Sequence, residues 1–227
     1  MNIDLHLHTL YGSACAYMDP DQLIRRAKAV GLDGVCITEH DHLWEEEAVK
    51  RLRERHDFLV IAGVEVSTDQ GEILVFGLHR GVRDLFRAEE LRKRVDEEGG
   101  FMILAHPFRN EPSLYASFPF VLPPPEKRSF PEVRGVGERT VFTLVDALEV
   151  YNGRAGRQET AFARAVAEHL NLGGTGGSDA HAVLGIGACY TRFFEPVRDE
   201  RDLIVQLKKG NYQAVDARWT VPSEEES

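Results

Sequence analysis

A chain of 227 residues, 43% hydrophobic and 28% charged, has ordinary globular composition and suits one fairly large domain, since α/β barrels run to ~200–250 residues without splitting. Its formal net charge of −10 argues against broad nucleic-acid binding, although bound divalent ions could make one pocket locally positive. No apolar run approaches the ~20 residues that span a bilayer, the first residues read as a strand rather than a leader, and three unpaired-looking cysteines (Cys15, Cys36, Cys189) argue against a disulfide framework.

The expectation is therefore a single cytoplasmic domain over residues 1–227 with no membrane partner. "NIDLHLH" opens it as a strand, and its His6 and His8, two apart, share one face. Two imidazoles so placed suit a shared metal ion, since without one both rings could not easily be charged. A solvated strand face is the alternative. "DPDQLIRRAKAVG" reads as a helix with Asp19 as N-cap, Pro20 in the first turn and Gly31 at the end. "GVCITEH" is a buried strand, followed by a charged helix through "LWEEEAVKRLRERH". Two strands, "FLVIAGVEVST" and "EILVFGLH", join around Asp69-Gln70-Gly71, and the helix "FRAEELRKRVDEEGG" leads into the strand "FMILAHP".

Residues 108–141 break the rhythm, with little periodicity and a triple proline. A loop this long is a lid, a binding loop or an assembly arm, or else a surface excursion packed by its own aromatics. Alternation then resumes through "DALEVYN", "GRQETAFARAVAEHL", "LGGTGGSDAH" and "ACYTRFFE", and a helix around "DERDLIVQLKKG" precedes "NYQAVDA". The acidic tail, residues 221–227, is expected to fray. Strands alternating with helices of this length argue for a largely parallel sheet.

Five further metal-capable residues lie at C-terminal ends of expected strands. His40 ends "CITEH", Glu65 falls late in "VIAGVEV", His106 ends "MILAH", and Asp179 and His181 close "TGGSDAH". In a barrel of parallel strands those ends converge on one rim. His56 and His169 lack that placement and read as solvated or structural. Neutral imidazoles with Glu65 and Asp179 suit zinc, manganese or iron, and a carboxylate can bridge two ions. Water bridging two or three such ions loses its proton near neutral pH and becomes a nucleophile, while the ions hold phosphate oxygens. The set suits hydrolysis of a phosphate ester.

"DLHLHT", "ITEHDH", "GVEVST", "LAHP" and "GSDAH", in that order, resemble the polymerase and histidinol phosphatase (PHP) superfamily, over about residues 1–210. The resemblance implies an α/β fold, a distorted (β/α)7 TIM-like barrel with two or three divalent metals at the strand C-terminal ends. It implies that His6, His8, Glu65 and Asp179 hold one metal, with Glu65 bridging to a second that includes His106, and that His40 and His181 belong to a third position. Glu65, Asp179 and His181 are also the expected catalytic residues. Members similar to this chain are phosphoesterases of histidinol phosphate, nucleotides or oligonucleotide ends, while others are editing or structural domains of DNA polymerases.

The chain departs from that pattern where trinuclear members place another histidine, in "YGSACAY". Cys15 is either a ligand there or, as preferred, a small buried cysteine, so the third position could be weak or absent. His79 falls where some members carry a second-metal histidine, against the alternative of a surface histidine. Glu39 is expected to support the site without touching metal, and Asp41 and His42 either contribute or form a solvated turn. Arg109 and Arg154 are the expected phosphate-binding residues, with Arg157 nearby and Asn152 either orienting substrate or capping a helix. The reading is a metal-dependent phosphoesterase acting through a metal-bridged hydroxide on a small phosphorylated substrate or nucleotide. The alternatives are an oligonucleotide exonuclease, a catalytically silent metal-binding module and an amide hydrolase; the charge counts against long nucleic acid.

Overall fold

The strands follow the alternation of the sequence closely. The computed structural model describes residues 1–109 and 133–219. Strand β1 (Asn2–Leu7) runs parallel to β2 (Gly34–His40), which runs parallel to β3 (Leu59–Thr68) in unbroken register from Gly34 opposite Leu59 to His40 opposite Glu65. Helix α1 (Pro20–Ala29) links the first pair and buries Leu23, Ile24 and Ala27. It starts as its residues dictate. Asp19 accepts the Gln22 backbone N–H at 2.8 Å, the Gln22 side chain accepts the Asp19 N–H at 3.3 Å, and Pro20 sits where no N–H is needed. Helix α2 (Glu46–His56) returns the chain to β3.

Strand β4 (Gly71–Phe76) then reverses direction and lies antiparallel to both β3 and β5 (Phe101–Leu104). Helix α3 (Ala88–Glu98) precedes β5; beyond residue 132 come the short helix α4 (Val133–Gly137) and a 3-10 turn, Thr140–Thr143. Strands β6 (Ala147–Asn152) and β7 (Gly173–Gly177) continue parallel around helix α5 (Arg157–Leu170). β8 (Cys189–Phe193), helix α6 (Glu200–Lys209), β9 (Tyr212–Asp216) and a 3-10 turn, Ala217–Trp219, complete the described residues, with β8 antiparallel to β1 and to β9. The sheet order is β7-β6-β5-β4-β3-β2-β1-β8-β9.

The sheet bends round until β7 meets β1. Leu7 bridges Ala180, the Asp179 N–H donates to the His6 carbonyl at 2.8 Å, and the His8 N–H donates to the Ala180 carbonyl at 3.1 Å. This is the distorted α/β barrel the sequence implies, with nine strands among the described residues where the (β/α)7 repeat would place seven. The residues that close it are the very segments that carry the first and last motifs. Among the described residues no helix is long and apolar enough to cross a membrane. Of the excursion expected over residues 108–141, the described ends pack down, Phe108 against Phe142 and Phe162 and Val133–Gly137 as helix α4; its remainder, residues 110–132, and the tail, residues 221–227, lie outside the described residues.

Candidate metal centre

Along β1, Ile3, Leu5 and Leu7 pack into the apolar clusters, so the alternate residues Asp4 and His6, and His8 beyond them, turn to the other face. His6 and His8 are fully buried, as is Glu65 from the end of β3, and Asp179 from beyond β7 is 1% exposed. Charged and imidazole groups are rarely so deep without partners. His6 Nε2 lies 3.3 Å from Glu65 Oε1 and 3.7 Å from Asp179 Oδ1; His8 Nε2 lies 3.3 Å from Glu65 Oε2 and 3.4 Å from Asp179 Oδ1. These are close approaches of ring nitrogen to carboxylate and not hydrogen bonds. His6 Nε2, His8 Nε2 and Glu65 Oε2 are left without a partner.

The other nitrogen of each ring is taken. His6 Nδ1 meets Glu149 Oε1 at 2.9 Å, and His8 Nδ1 meets Ser13 Oγ at 3.1 Å. Ser13 in turn donates to Glu39 Oε2 at 2.5 Å, and Glu39 also accepts the Thr9 N–H and hydroxyl. With both rings neutral, a donor role for Nδ1 leaves both Nε2 lone pairs facing Glu65 and Asp179. Such a relay is what orients a metal-binding histidine. Glu39 thus has the supporting place expected of it. Gly12 is required beside it, because a Cβ there would meet Glu39 Cγ at 2.4 Å.

The remaining histidines close in from other strand ends. His40 Nδ1 lies 2.9 Å from Glu65 Oε2, and His106 Nε2 contacts Glu65 Oε1 at 3.0 Å and Glu72 Oε2 at 3.5 Å. The rings of His40 and His181 stand 4.4 and 4.3 Å from that of His8. Among the described residues four groups of donor atoms could each hold an ion: His6, His8 and Asp179; His6, His106 and Glu149; His40, Glu65 and Glu72; and His8, His40 and His181. Two rim residues, His106 (φ 28°) and Asp179 (φ 51°), adopt left-handed backbone that side chains disfavour, at about 1–3 kcal/mol each.

Charge follows this packing. Burial opposes protonation of His6, but Glu149, Glu65 and Asp179 outweigh it and lift His6 well above the usual imidazole range. Burial pushes His8 down to about 4, with His6 and His40 adding to the effect. Glu65 and Asp179 would be raised by burial, yet the surrounding histidines, with Arg109 beside Asp179, hold both carboxyls well below their ordinary values. The carboxylates draw protons toward the site: His6 is raised, and so is His40, chiefly through its contact with Glu65.

The expected arginines reach the same mouth. Arg109 pairs with Asp179 Oδ2 and lies 3.9 Å from Glu72, while Arg154 Nη1 lies 3.8 Å from Asp179 Oδ1 and 3.3 Å from His181 Nδ1. Asn152 donates to Glu149 Oε2 at 2.9 Å and to Asp179 Oδ2 at 3.3 Å, so it braces the carboxylates. Its carbonyl oxygen also accepts the Arg154 N–H. Asp41 accepts the Ser67 N–H at 2.8 Å in a turn, and His42 is exposed.

Two expectations change. His79 is exposed and apart from the other histidines, its N–H bound to Glu98 at the end of α3. Because β4 is antiparallel, its C-terminal end points to the opposite mouth, and its first residues instead bring Glu72 to the rim. Cys15 is exposed rather than buried and lines the mouth beside Tyr17 and His181. In its segment Ser13, Ala16 and Met18 turn inward instead. Glu72 and Glu149 escaped the sequence reading, although a lone acid within apolar "ALEVYN" was a usable signal.

A family model for the PHP domain matches residues 4–117, and one described as PHP-associated matches residues 158–212. The uncharacterized protein MJ1587 of Methanocaldococcus jannaschii is 25% identical over 161 residues, 67% of this chain and 82% of its own length. A Bifidobacterium adolescentis protein, described as a proposed metal-dependent phosphoesterase, superposes with a TM-score of 0.57 at 15% identity, covering 90% of this chain and 96% of that one. The lesion-specific endonuclease PfuEndoQ of Pyrococcus furiosus superposes with a TM-score of 0.59 at 18% identity, over 94% of this chain and 57% of its own. These likenesses are likenesses of fold.

Proposed function

The chain belongs to the PHP family, and from that premise we propose that it is a divalent-metal-dependent phosphoesterase, one catalytic domain hydrolysing a small phosphate ester or a nucleotide. The observation that carries the reading is the pair of buried ring nitrogens, His6 Nε2 and His8 Nε2, that face Glu65 and Asp179 without a hydrogen-bond partner. Buried polar atoms left without partners cost ~1–3 kcal/mol each, and a cation among them removes that cost. The donors fit the group. His6, His8, Glu65 and Asp179 would hold one ion; Glu65 would bridge to a second among His106, Glu72 and His40; and His181 with His8 and His40 would hold a third. Mixed imidazole and carboxylate donors suit manganese, zinc or iron.

Such ions, when bound, acidify a coordinated water and neutralise charge on phosphoryl oxygens. The protein groups do the rest. Glu149 and Ser13 hold the two rings in the orientation that keeps Nε2 free. Arg109 and Arg154 present guanidinium forks at the rim, where a substrate phosphate would replace their contacts to Asp179. Burial, with Arg154 and His40 nearby, lowers His181, so this ring is neutral near pH 7 and available as a ligand or proton acceptor.

Protein purified without chelator is expected to carry about two or more equivalents of these metals and to hydrolyse p-nitrophenyl phosphate or its bis-ester. Glu65→Gln is expected to lower turnover by roughly 10²-fold or more, because the amide lacks the charge that holds two cations together. Less than one equivalent with no uptake of added manganese, iron or zinc overturns the reading. So does near-normal turnover of Glu65→Gln with full metal content.

A further inference from the structure

The proposed hydrolysis leaves a recess beside the mouth without a role. It lies between the segment after β1 and the first turns of α2 and has a volume of about 370 Å³. Tyr11 and Trp44 form its corner, with ring centroids 6.1 Å apart and planes at 85°. Tyr11 is 67% exposed, far more than packing alone requires of so large a ring. His42, Glu45 and Arg51 extend the wall, and Arg55 lies there paired with Asp21 Oδ2 at 3.1 Å.

Trp44 has already spent its polar atom inward. Its Nε1–H donates to Glu39 Oε1 at 3.2 Å, the carboxylate that also holds Ser13 and, through Ser13, His8. The indole is therefore fixed from within by the same relay that orients a candidate metal-binding histidine, and its ring system borders the recess. The neighbouring mouth is built from the same two segments, since Cys15, Tyr17 and His40 line it. Residues 11–17 and 40–44 thus contribute to both the recess and the mouth.

We propose that the recess is a nucleobase subsite, which makes the substrate a nucleotide unit rather than a phosphorylated sugar or amino acid. A right-angled aromatic pair accepts a planar ring face-on against one partner and edge-on against the other. Every base has the π-face this needs, and stacking contributes ~1–3 kcal/mol per base. Arg51, exposed on α2, adds a planar cation for a ring face or an adjoining phosphate. The phosphate half of the inference rests on the phosphoesterase reading; the base half rests on the recess alone.

The test uses the full chain with Trp219→Phe, so that Trp44 is the remaining tryptophan. Metal-free protein is titrated with adenosine 5′-monophosphate and with ribose 5-phosphate, which has the phosphate and no base. The nucleotide is expected to change Trp44 fluorescence saturably, ribose 5-phosphate is not, and Tyr11→Ala should weaken nucleotide binding about 5-fold or more. Isothermal titration of the chain with both tryptophans, with and without Tyr11→Ala, gives the same comparison. In metal-loaded enzyme, Tyr11→Ala should lower kcat/KM for the nucleotide by a similar factor and leave that for ribose 5-phosphate unchanged. Equal affinity of wild type and Tyr11→Ala, or equal binding of the two probes, overturns the subsite. Base-dependent binding without hydrolysis of any phosphate ester retains the subsite and sinks the phosphoesterase reading; hydrolysis indifferent to the base does the reverse.

Discussion

Glu149 Oε1 lies 2.9 Å from His6 Nδ1, the ring nitrogen that does not face Glu65 and Asp179. Its other oxygen accepts the His106 N–H and the Asn152 side chain, each at 2.9 Å. One buried carboxylate therefore ties together β1, β6 and the turn after β5 while fixing which His6 nitrogen carries the proton. Glu149→Gln keeps the shape but can offer an N–H to Nδ1, which moves the ring proton to Nε2. Metal affinity is expected to fall ~10–100-fold, as loss of such partners commonly causes, and chelator competition would measure it. A fall in melting temperature with unchanged affinity would make Glu149 a packing residue only.

The charge of His6 gives a pH dependence. Its folded-state pKa is raised, so in metal-free protein its stabilising contribution is complete below the unfolded value of about 6.5 and is lost as pH rises through the folded value. Metal binding needs the neutral ring and competes with that proton. Both trends act in one direction: the stabilisation conferred by metal grows as pH rises. Melting curves with and without excess manganese, from about pH 6 to 8, should show a widening gap. A gap that does not change with pH would remove His6 from the ligand set.

Much of this site was legible because parallel strands carry their C-terminal ends to one rim, and His6, His8, His40, Glu65, His106, Asp179 and His181 all obey that rule. The same rule misplaced His79. β4 runs the other way, and a two-stranded turn at Asp69–Gly71 does not announce which end of the second strand will face the metals. Glu72, at the beginning of β4, was hidden for the same reason. Glu149 was hidden differently, since a buried acid is stable there only because residues far away in sequence, His6 above all, supply its donors. The closure of β7 on β1 through Asp179 and Ala180 likewise joins distant segments that no local pattern connects. Cys15 was judged by the usual burial of its residue type, whereas the loop spends its inward positions on Ser13, Ala16 and Met18.

Cys15 now offers a chemical probe of the mouth. It is exposed, while Cys36 and Cys189 are buried; partial burial raises the Cys15 thiol as well, so accessibility is what separates it from the other two. Alkylation of the folded protein should modify Cys15 well before the other two, because reaction needs an accessible thiolate. The adduct, beside Tyr17 and His181, should lower kcat/KM without lowering metal content. Cys15→Ser should keep every metal equivalent and lose the sensitivity to alkylation. Loss of one equivalent in that variant would show the cysteine to be a ligand after all.

Gly177 gives a test in which geometry alone perturbs the centre. It ends β7 against β1, where an added Cβ would lie 2.5 Å from His6 Cβ and 2.7 Å from Glu149 Oε1. Neither neighbour can move freely, since both are buried and joined to each other. Gly177→Ala should therefore cost ~1–3 kcal/mol of stability as overpacking does, read as a melting point lower by several degrees. It should also displace the His6 ring and weaken metal binding. If Glu149→Gln acts through the same ring, the double variant should lose less metal affinity than the two single losses combined, because a misplaced ligand cannot be misplaced twice. Losses that simply add would mean that Gly177 and Glu149 serve different parts of the site, and the tie between Glu149 and His6 would not be what holds that ligand in place.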